Sequence, residues 1–206
     1  MPIAERLSAY GLLRATHQRL RMARLYCDNV VQWRVEVARQ MGVRVGKNCR
    51  FYSLNVFSEG CLVEIGDDVI VSGNVVFVTH DGGVYVLRDH IPNVQGDYGR
   101  IKIGNNCFIG MNAVILPNVH IGNNCIVAAG SVVRGSFGDN VVIMGNPATV
   151  VLSLRMYLAI KRASASTIIS EEYAYPNERL PPQMQEILLR DIPFPRPPKT
   201  SSTDEP

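Results

Sequence analysis

The chain has 206 residues, of which 47% are hydrophobic and 19% charged, and its formal net charge is +3 at pH 7. This composition supports a packed core in one domain with appended segments, and no apolar run approaches the ~18 residues that a membrane-spanning helix needs. The five cysteines include no C-x-x-C pair, so we expect reduced thiols and neither disulfides nor a metal site. With no leader sequence visible, we predict a cytoplasmic protein that has no nucleic acid partner.

Residues 1–41 are predicted to form a basic helical cap. No proline interrupts the sequence from Ile3 to Met41, and residues 1–50 carry ten Lys and Arg against three acidic residues. A cap covers the open end of the domain that follows it. The alternative is a helix whose Arg-rich face lies on an anionic membrane surface. We favour the cap and keep peripheral membrane association as the second interpretation.

Residues 42–151 are predicted to form an all-β solenoid of parallel strands. Aliphatic residues recur every six positions at Ile103, Ile109, Ile115, Ile121, Val127 and Val133. A short fixed period is typical of a solenoid, because neither a half-buried strand nor an amphipathic helix produces it. Three six-residue sides close a coil of 18 residues, so equivalent positions are expected to stack, with Cys107 on Cys125 and Asn106 on Asn124.

Four cysteines fall at the same point of this repeat, two residues before an aliphatic position. They are Cys49, Cys61, Cys107 and Cys125. The corresponding side chain points into the coil, where a small apolar group fits. We therefore predict that all four are buried thiols.

The repeat begins near Val45, resets its register by two residues at Ile65, and breaks over residues 81–100. We predict that these residues form a loop extruded from one corner of the solenoid. Loops of this length in compact domains are disproportionately functional. The period resumes at Ile101.

Residues 152–206 are predicted to form a helix followed by an extended or disordered tail. The helix falls in the run LSLRMYLAIKRASAS, and eight of the twelve prolines lie in residues 176–206. Such a proline-rich segment does not build a core. We assign it no chemistry.

The hexad repeat, the run AAGSVVRG and the later run NVVIMGNPATVV together resemble the hexapeptide-repeat acyltransferases, over roughly residues 43–151. The resemblance implies a left-handed parallel β-helix, a homotrimer with active sites between subunits, and acetyl-CoA as the acyl donor without a metal. The THDGG sequence at the start of the loop is most similar to the sugar O-acetyltransferases of this family. It implies acetylation of a sugar hydroxyl on a small-molecule or glycan acceptor, in surface-polysaccharide biosynthesis.

The resemblance places the catalytic base at His80, in the sequence FVTHDGG. Imidazole titrates near neutral pH, which suits a group that takes the proton of an acceptor hydroxyl. Asp81 is the candidate that orients the imidazole or contacts the acceptor. His90, on the same loop, is the rival base and an acceptor contact. Asn55 and Glu59, one coil earlier, fall where related enzymes place acceptor-binding residues.

Coenzyme A is expected along the later coils. The resemblance places Met111 and Ala129 where family members contact it through the backbone, and Arg134 and Gly135 on a pair that is usually Thr-Lys. Thr149 falls where Arg or Lys is common. Two usual basic residues are therefore replaced. Arg134 and Arg155 are the candidates for the positive charge that the phosphates need; the alternatives are a charge supplied by a partner subunit and weaker binding of coenzyme A.

The outward positions indicate assembly. Phe108 and Ile126 stack on one face, and Val114 and Val132 on another. A monomer avoids such apolar ladders on its surface, so we predict that they form the trimer contacts.

Three other functions share the scaffold. N-acetylation of an amino sugar or another small amine is the main alternative to O-acetylation. A zinc hydrase needs three ligating histidines with a short H-x-x-x-x-H pair, which His80, His90 and His120 do not provide. A non-enzymatic scaffold is the remaining class.

Overall fold

The computed structural model describes residues 18–19, 21–23, 25–26, 29–56 and 59–164. Cys27, the first 17 residues of the predicted basic cap and the predicted proline-rich tail lie outside the described residues. The chain divides into two compact units, Met1–Tyr157 and Leu158–Pro206. All the strands belong to the first unit. The described residues of the second unit, 158–164, form the end of a helix and the turn that follows it.

The described elements are mostly two- and three-residue strands. In chain order they are α1 Val30–Gln40, β1 Arg44–Val45, β2 Arg50–Phe51, β3 Asn55–Val56, a 3₁₀ turn Gly60–Leu62, β4 Val63–Ile65, β5 Ile70–Val71, β6 Val76–Phe77, β7 His80–Asp81, a 3₁₀ helix Gly82–Leu87, β8 Asp97–Tyr98, β9 Ile101–Ile103, β10 Phe108–Ile109, β11 Val114–Ile115, β12 Val119–Ile121, β13 Ile126–Val127, β14 Val132–Val133, β15 Ser136–Phe137, β16 Val141–Gly145, β17 Ala148–Ser153 and α2 Leu154–Arg162.

The strands form three sheets that the chain visits in turn. The first sheet has the order β1-β4-β9-β12-β15, the second β17-β16-β13-β10-β5-β2 and the third β14-β11-β6-β3. Every neighbouring pair in them is parallel, apart from β16 and β17. Each turn of the chain therefore adds one strand to each sheet, which is the connectivity of a three-sided parallel solenoid.

The predicted inward positions form the core. Ile103, Ile109, Ile115, Ile121, Val127 and Val133 are at most 1% exposed. The smaller residues that precede each of the later five by two positions are also buried: Cys107, Ala113, Val119, Cys125 and Ser131. The six-residue period predicted from the sequence is therefore confirmed in the described coils.

Asparagines turn the corner between the first and second sheets. Asn106, Asn124 and Asn140 have φ angles of 52°, 56° and 61°, in the left-handed region that asparagine tolerates better than most residues. Asn106 Nδ2 donates to Asn124 Oδ1 at 2.8 Å, and Asn124 Nδ2 donates to Asn140 Oδ1 at 3.1 Å. These side chains satisfy one another up the corner, as the predicted stacking requires.

Glycines occupy the position at which each coil enters that corner. A Cβ atom at Gly104 would lie 2.6 Å from the carbonyl carbon of Gly122, whereas one at Gly138, in the last coil, would meet nothing within 4 Å. The two residues differ in that a further coil is stacked only on Gly104. The repeat therefore needs glycine where coils stack and tolerates a side chain at its end.

Gly104→Ala is expected to destabilise the fold by about 1–3 kcal/mol, because the added methyl group must displace the backbone of the next coil. Gly138→Ala is the matched control and should change the free energy of unfolding by less than about 0.5 kcal/mol. Thermal or denaturant unfolding of the two variants measures the difference. Equal stability would contradict the stacking register.

Three of the predicted buried cysteines are buried, and one is not. Cys49, Cys107 and Cys125 are at most 3% exposed. The Sγ of Cys107 lies 3.2 Å from Gly122 O and 3.3 Å from Asn105 O, and burial raises the pKa of this thiol to about 11. Cys61 is exposed, so the prediction for it is wrong: it falls in the 3₁₀ turn Gly60–Leu62, where strand alternation does not apply.

Thiol labelling should separate Cys61 from Cys107. The thiolate is the reactive form, and the raised pKa of Cys107 leaves it protonated at pH 8. Peptide mapping after brief native labelling is expected to find the reagent on Cys61 and to find Cys107 unmodified until the chain is denatured. Rapid native labelling of Cys107 would show that the inward register is incorrect.

The register reset lies in the first coil. Val45 pairs with Ile65 and Phe51 with Val71. This coil is two residues longer than a regular one. The step from Phe51 to Val56 is one residue shorter than the step from Val71 to Phe77, and the segment from β3 to β4, which includes the 3₁₀ turn Gly60–Leu62, is three residues longer than a regular side. The predicted reset at Ile65 is therefore confirmed, and its structural cause is an inserted turn.

The helix α1 packs on this first coil. Asn29 caps its N-terminus by accepting from Gln32 N–H, and Val31, Val35 and Ala38 are buried. Gln32 Nε2 donates to Cys49 O at 3.1 Å. The helix therefore lies against coil residues that no earlier strand pairs with. The cap role of residues 1–41 stays a prediction.

The other end of the solenoid closes in a hairpin. β17 turns back antiparallel on β16 through the cis peptide Asn146–Pro147. The helix α2 follows, within the run predicted to be helical. In the described part of the chain, no helix has both the length and the apolar character needed to cross a bilayer.

Candidate active site

The predicted loop leaves the solenoid after β6, and its two ends are fastened together. β7 and β8 pair antiparallel, and Gly99 N–H donates to Thr79 O at 2.8 Å. A Cβ atom at Gly99 would overlap the backbone of Asn118, so the returning chain lies directly on the next coil. The residues at the base of the loop are therefore held by the solenoid.

His80 lies at this base, and Glu59 of the preceding coil lies against it. The distance from His80 Nδ1 to Glu59 Oε2 is 3.0 Å. Thr79, which is fully buried, donates its hydroxyl to the same Glu59 oxygen at 2.8 Å. The His80 side chain is 41% exposed and that of Glu59 21%. The His80–Glu59 pair is thus held by the buried Thr79 hydroxyl, and both side chains remain partly exposed to solvent.

The inserted turn explains why Glu59 reaches this place. Glu59 immediately precedes Gly60–Leu62, where the first coil carries its extra residues. A regular hexad would continue along a strand at this point. The irregularity of the first coil and the loop of the second therefore meet at the same corner.

A carboxylate at Nδ1 defines what the imidazole can do. When the Nδ1 proton is donated to a carboxylate, the lone pair of the neutral ring is on Nε2. That nitrogen is then the one that accepts a proton, and the carboxylate stabilises the imidazolium that forms. The arrangement is that of a general base held by a carboxylate.

Asp81 is directed differently. Adjacent strand residues point to opposite faces, and Asp81 Oδ1 accepts from Gly83 N–H at 2.7 Å, capping the 3₁₀ helix Gly82–Leu87. His80 is paired across the hairpin with Tyr98, and Asp81 with Asp97. The structure thus brings Glu59 to the imidazole, while Asp81 accepts a hydrogen bond within its own loop.

Two other predicted acceptor residues lie further along the same elements. Asn55 is exposed in β3, whose partner strand β6 ends three residues before His80. His90 is exposed in the turn after the 3₁₀ helix, and its N–H donates to Leu87 O at 2.8 Å.

The predicted coenzyme A residues lie on the later coils. Met111 and Ala129 are exposed at the corner between the second and third sheets, where Gly130 N–H donates to Met111 O at 2.8 Å. Arg134 and Gly135 are exposed after β14, with Gly135 at a φ of 83°. Thr149 is exposed in β17 opposite Met144.

An apolar groove lies on the second sheet, and Ala129 is part of its lining. Its volume is about 480 Å³. It is lined by Phe108, Ile126, Val127, Ala128, Ala129, Val142, Met144, Val151, Leu152 and Tyr157. Ala129 and Met144 both line the groove, and Met144 is the residue of β16 that pairs with Thr149 of β17.

Sequence reasoning did not single out Thr79 and Tyr98. Thr79 had a signal, since it is a polar residue at the end of an inward-facing run, directly before His80. Tyr98 had no such signal in the sequence. It lies opposite His80 because the two ends of the loop pair with each other, and the sequence showed this segment only as a break in the period.

Known proteins agree with this architecture. The family described as bacterial transferase hexapeptide (six repeats) matches residues 100–135. Protein CapG of Staphylococcus aureus is 48% identical over 122 residues, which cover 58% of this chain and 70% of that protein. The putative lipopolysaccharide biosynthesis O-acetyl transferase WbbJ of Escherichia coli is 29% identical over 161 residues, covering 68% of this chain and 82% of that protein.

Among solved structures, a hexapeptide-repeat acetyltransferase from Vibrio cholerae is 28% identical, with a TM-score of 0.46 over 55% of this chain and 63% of its own. The sequence relationships above establish the class: the chain belongs to the hexapeptide-repeat transferase family. Within that family it is an acyltransferase of the acetyltransferase type.

Proposed function

We propose that this protein is an acetyl-CoA-dependent O-acetyltransferase that acts on a sugar hydroxyl in surface-polysaccharide biosynthesis. The observation that carries the proposal is the contact of the His80 imidazole with Glu59 at the base of the loop. The relative named as a lipopolysaccharide biosynthesis O-acetyl transferase supports the choice of acceptor. The proposal includes a left-handed coil and a homotrimer, as the family resemblance implies.

In the proposed reaction His80 Nε2 takes the proton of the acceptor hydroxyl as its oxygen attacks the thioester carbonyl. The new C–O bond replaces the C–S bond, and the imidazolium returns its proton to the departing thiolate. Glu59 stabilises the imidazolium between these steps. A thioester is already a reactive acyl donor, so removing the hydroxyl proton is the main task left for side chains.

The later coils suit the donor. The apolar groove of about 480 Å³ lies within the range of small-molecule sites. Because the resemblance implies active sites between subunits, the pantetheine arm is proposed to lie in this groove at the edge of the subunit contact made by Phe108. The exposed Arg134 is a cation for the phosphates, as is Arg155 of α2. Met111, Ala129, Gly135 and Thr149 remain the proposed contacts along this path.

The donor-side proposal predicts that Arg134→Ala raises the KM for acetyl-CoA by about tenfold, because an exposed charge-assisted contact to phosphate is lost. The value of kcat at saturating acetyl-CoA should stay within about threefold, since the chemistry is remote. Arg44→Ala, on the first sheet, is the matched control. An unchanged KM in Arg134→Ala would move the phosphate site elsewhere.

Two of the three outer faces differ in a way that supports the proposed trimer. The first sheet carries a charged ladder, in which Glu64 Oε2 accepts from Arg44 at 2.7 Å and Glu64 Oε1 lies 3.4 Å from Lys102 Nζ. On the second sheet, the outward side chain of Phe108 is 41% exposed and lies next to that of Ile126 on the neighbouring strand. The second face is thus the one that gains from being covered.

Phe108→Glu is expected to break the trimer into monomers, because it would place an unpaired charge in a desolvated contact. Light scattering of purified protein measures the mass. Lys102→Glu, on the charged face, is the matched control and should leave the mass unchanged. A monomeric wild type, or a Phe108→Glu variant that stays trimeric, would contradict this use of the face.

A thiol-release assay with acetyl-CoA tests the proposed activity. The acceptors should include sugars, amino sugars and simple amines. Release that depends on sugars lacking an amine supports O-acetylation. Release with amines alone would assign the alternative, N-acetylation, and release with no acceptor at all would contradict a transferase acting on either.

A further inference from the structure

Tyr98 is the aromatic side chain that the loop places beside the imidazole. It lies opposite His80 in the hairpin of β7 and β8, and residues directly opposite each other share one face. The two ring centroids are 5.9 Å apart, with the planes at 42°. Tyr98 is nevertheless 53% exposed, so a large apolar ring stands in solvent next to the proposed base.

The residues on either side of Tyr98 in the chain anchor its backbone and leave space for its ring. A Cβ atom at Gly96 would lie 2.8 Å from Tyr98 Cε2, so the absence of a side chain there is what leaves room for the ring. On the other side, Gly99 N–H is bound to Thr79 O. Tyr85, at the far end of the loop, donates its hydroxyl to Gln95 O at 2.6 Å. The backbone beside Tyr98 is therefore anchored, and Gly96 leaves space for the ring.

We propose that Tyr98 is the platform on which a pyranose ring of the acceptor lies, so that one of its hydroxyls is directed to His80. This inference rests on the proposed function and names the acceptor class of that same site. A pyranose has an apolar C–H face and a rim of hydroxyls, and tyrosine offers a flat apolar body with a polar tip. Covering the ring with the sugar removes exposed apolar surface from water.

The platform also explains how the hydroxyl would be oriented. A base accelerates transfer when the reacting atoms are held in near-attack geometry. Because Tyr98 and His80 share a face, a rigid ring seated on one presents its rim to the other. An acyclic polyol has the same hydroxyls without a rigid C–H face, so it should not gain from Tyr98.

Sugar binding to the full chain, loaded with coenzyme A, tests the inference without requiring turnover. The probes are the methyl pyranosides of glucose, galactose, mannose and N-acetylglucosamine, with galactitol as the acyclic comparison, followed by saturation-transfer NMR. We expect at least one pyranoside to bind through its ring C–H protons. Tyr98→Ala should weaken it about tenfold or more, and Tyr98→Phe should retain it within about twofold. Val86→Ala, elsewhere on the loop, is the control.

Three results would overturn the inference. They are equal pyranoside binding by Tyr98→Ala and wild type, no binding of any pyranoside by wild type, and a change of subunit number in Tyr98→Ala, which would place Tyr98 in a subunit contact. The thiol-release assay separates this inference from the proposed function. Tyr98-dependent binding without acetyl transfer would contradict the function alone, whereas transfer to polyols without pyranoside binding would contradict the platform alone.

Discussion

His80→Asn is expected to lower kcat for acetyl transfer by about 10²- to 10⁴-fold, the range that a positioned general base contributes. Asparagine keeps similar size and one hydrogen-bonding edge but cannot take the acceptor's proton. Because the donor groove lies on other coils, coenzyme A affinity should change little. Steady-state thiol release and calorimetric titration of coenzyme A measure the two quantities.

His120→Asn is the matched control, since His120 is exposed on β12 and paired with Lys102 and Ser136 of neighbouring coils. It should keep kcat within about twofold. His90→Asn tests the rival base. If His90→Asn loses activity and His80→Asn retains it, the base lies further along the loop than the contact with Glu59 indicates.

Glu59→Gln is expected to lower kcat by about 10- to 10³-fold, with the acceptor KM changed much less, because the carboxylate holds the imidazole and stabilises its protonated form. The amide can still meet Thr79, so the fold should persist. ¹⁵N NMR of the His80 ring supplies a second readout. In wild type the proton should sit on Nδ1, and in Glu59→Gln the two tautomers should mix.

Glu64→Gln makes the same chemical change in the same stretch of chain, on the charged outer face, and should leave both readouts unchanged. Glu59→Asp, which keeps the carboxylate, should recover part of the activity. If Glu59→Gln raised the acceptor KM at constant kcat and left the tautomer unaltered, Glu59 would be an acceptor ligand, the role that the family resemblance first suggested.

The sequence predicted the regular part of the molecule because each coil is specified locally. Ile109 and Val127 are buried for the same reason, and Asn106 and Asn124 turn the same corner, so one repeat determines all the others. The loop was also predictable, since a break in a strict period is easy to see. These features depend on residues six or eighteen positions apart.

The irregular coil was not predictable in the same way. Cys61 obeys the spacing of a buried residue and is exposed, because a 3₁₀ turn replaces the strand on which that spacing depends. The same turn carries Glu59 to His80, and the pairing of loop ends carries Tyr98 there. These contacts depend on how the inserted turn and the loop ends fold against each other in space. A periodic sequence pattern carries no information about that.

The ratio of acetyl ester to free thiol shows whether the protein transfers acetyl groups to a sugar hydroxyl with His80 as the base. Wild type and His80→Asn would each be incubated with acetyl-CoA and an accepted sugar. The product would be examined by mass spectrometry before and after brief treatment with alkaline hydroxylamine, which cleaves an alkyl ester and leaves an amide. For wild type we expect one ester, labile to hydroxylamine, for each thiol released, and for His80→Asn a parallel loss of both. Thiol release without ester, a hydroxylamine-resistant product, or unchanged ester formation by His80→Asn would contradict it.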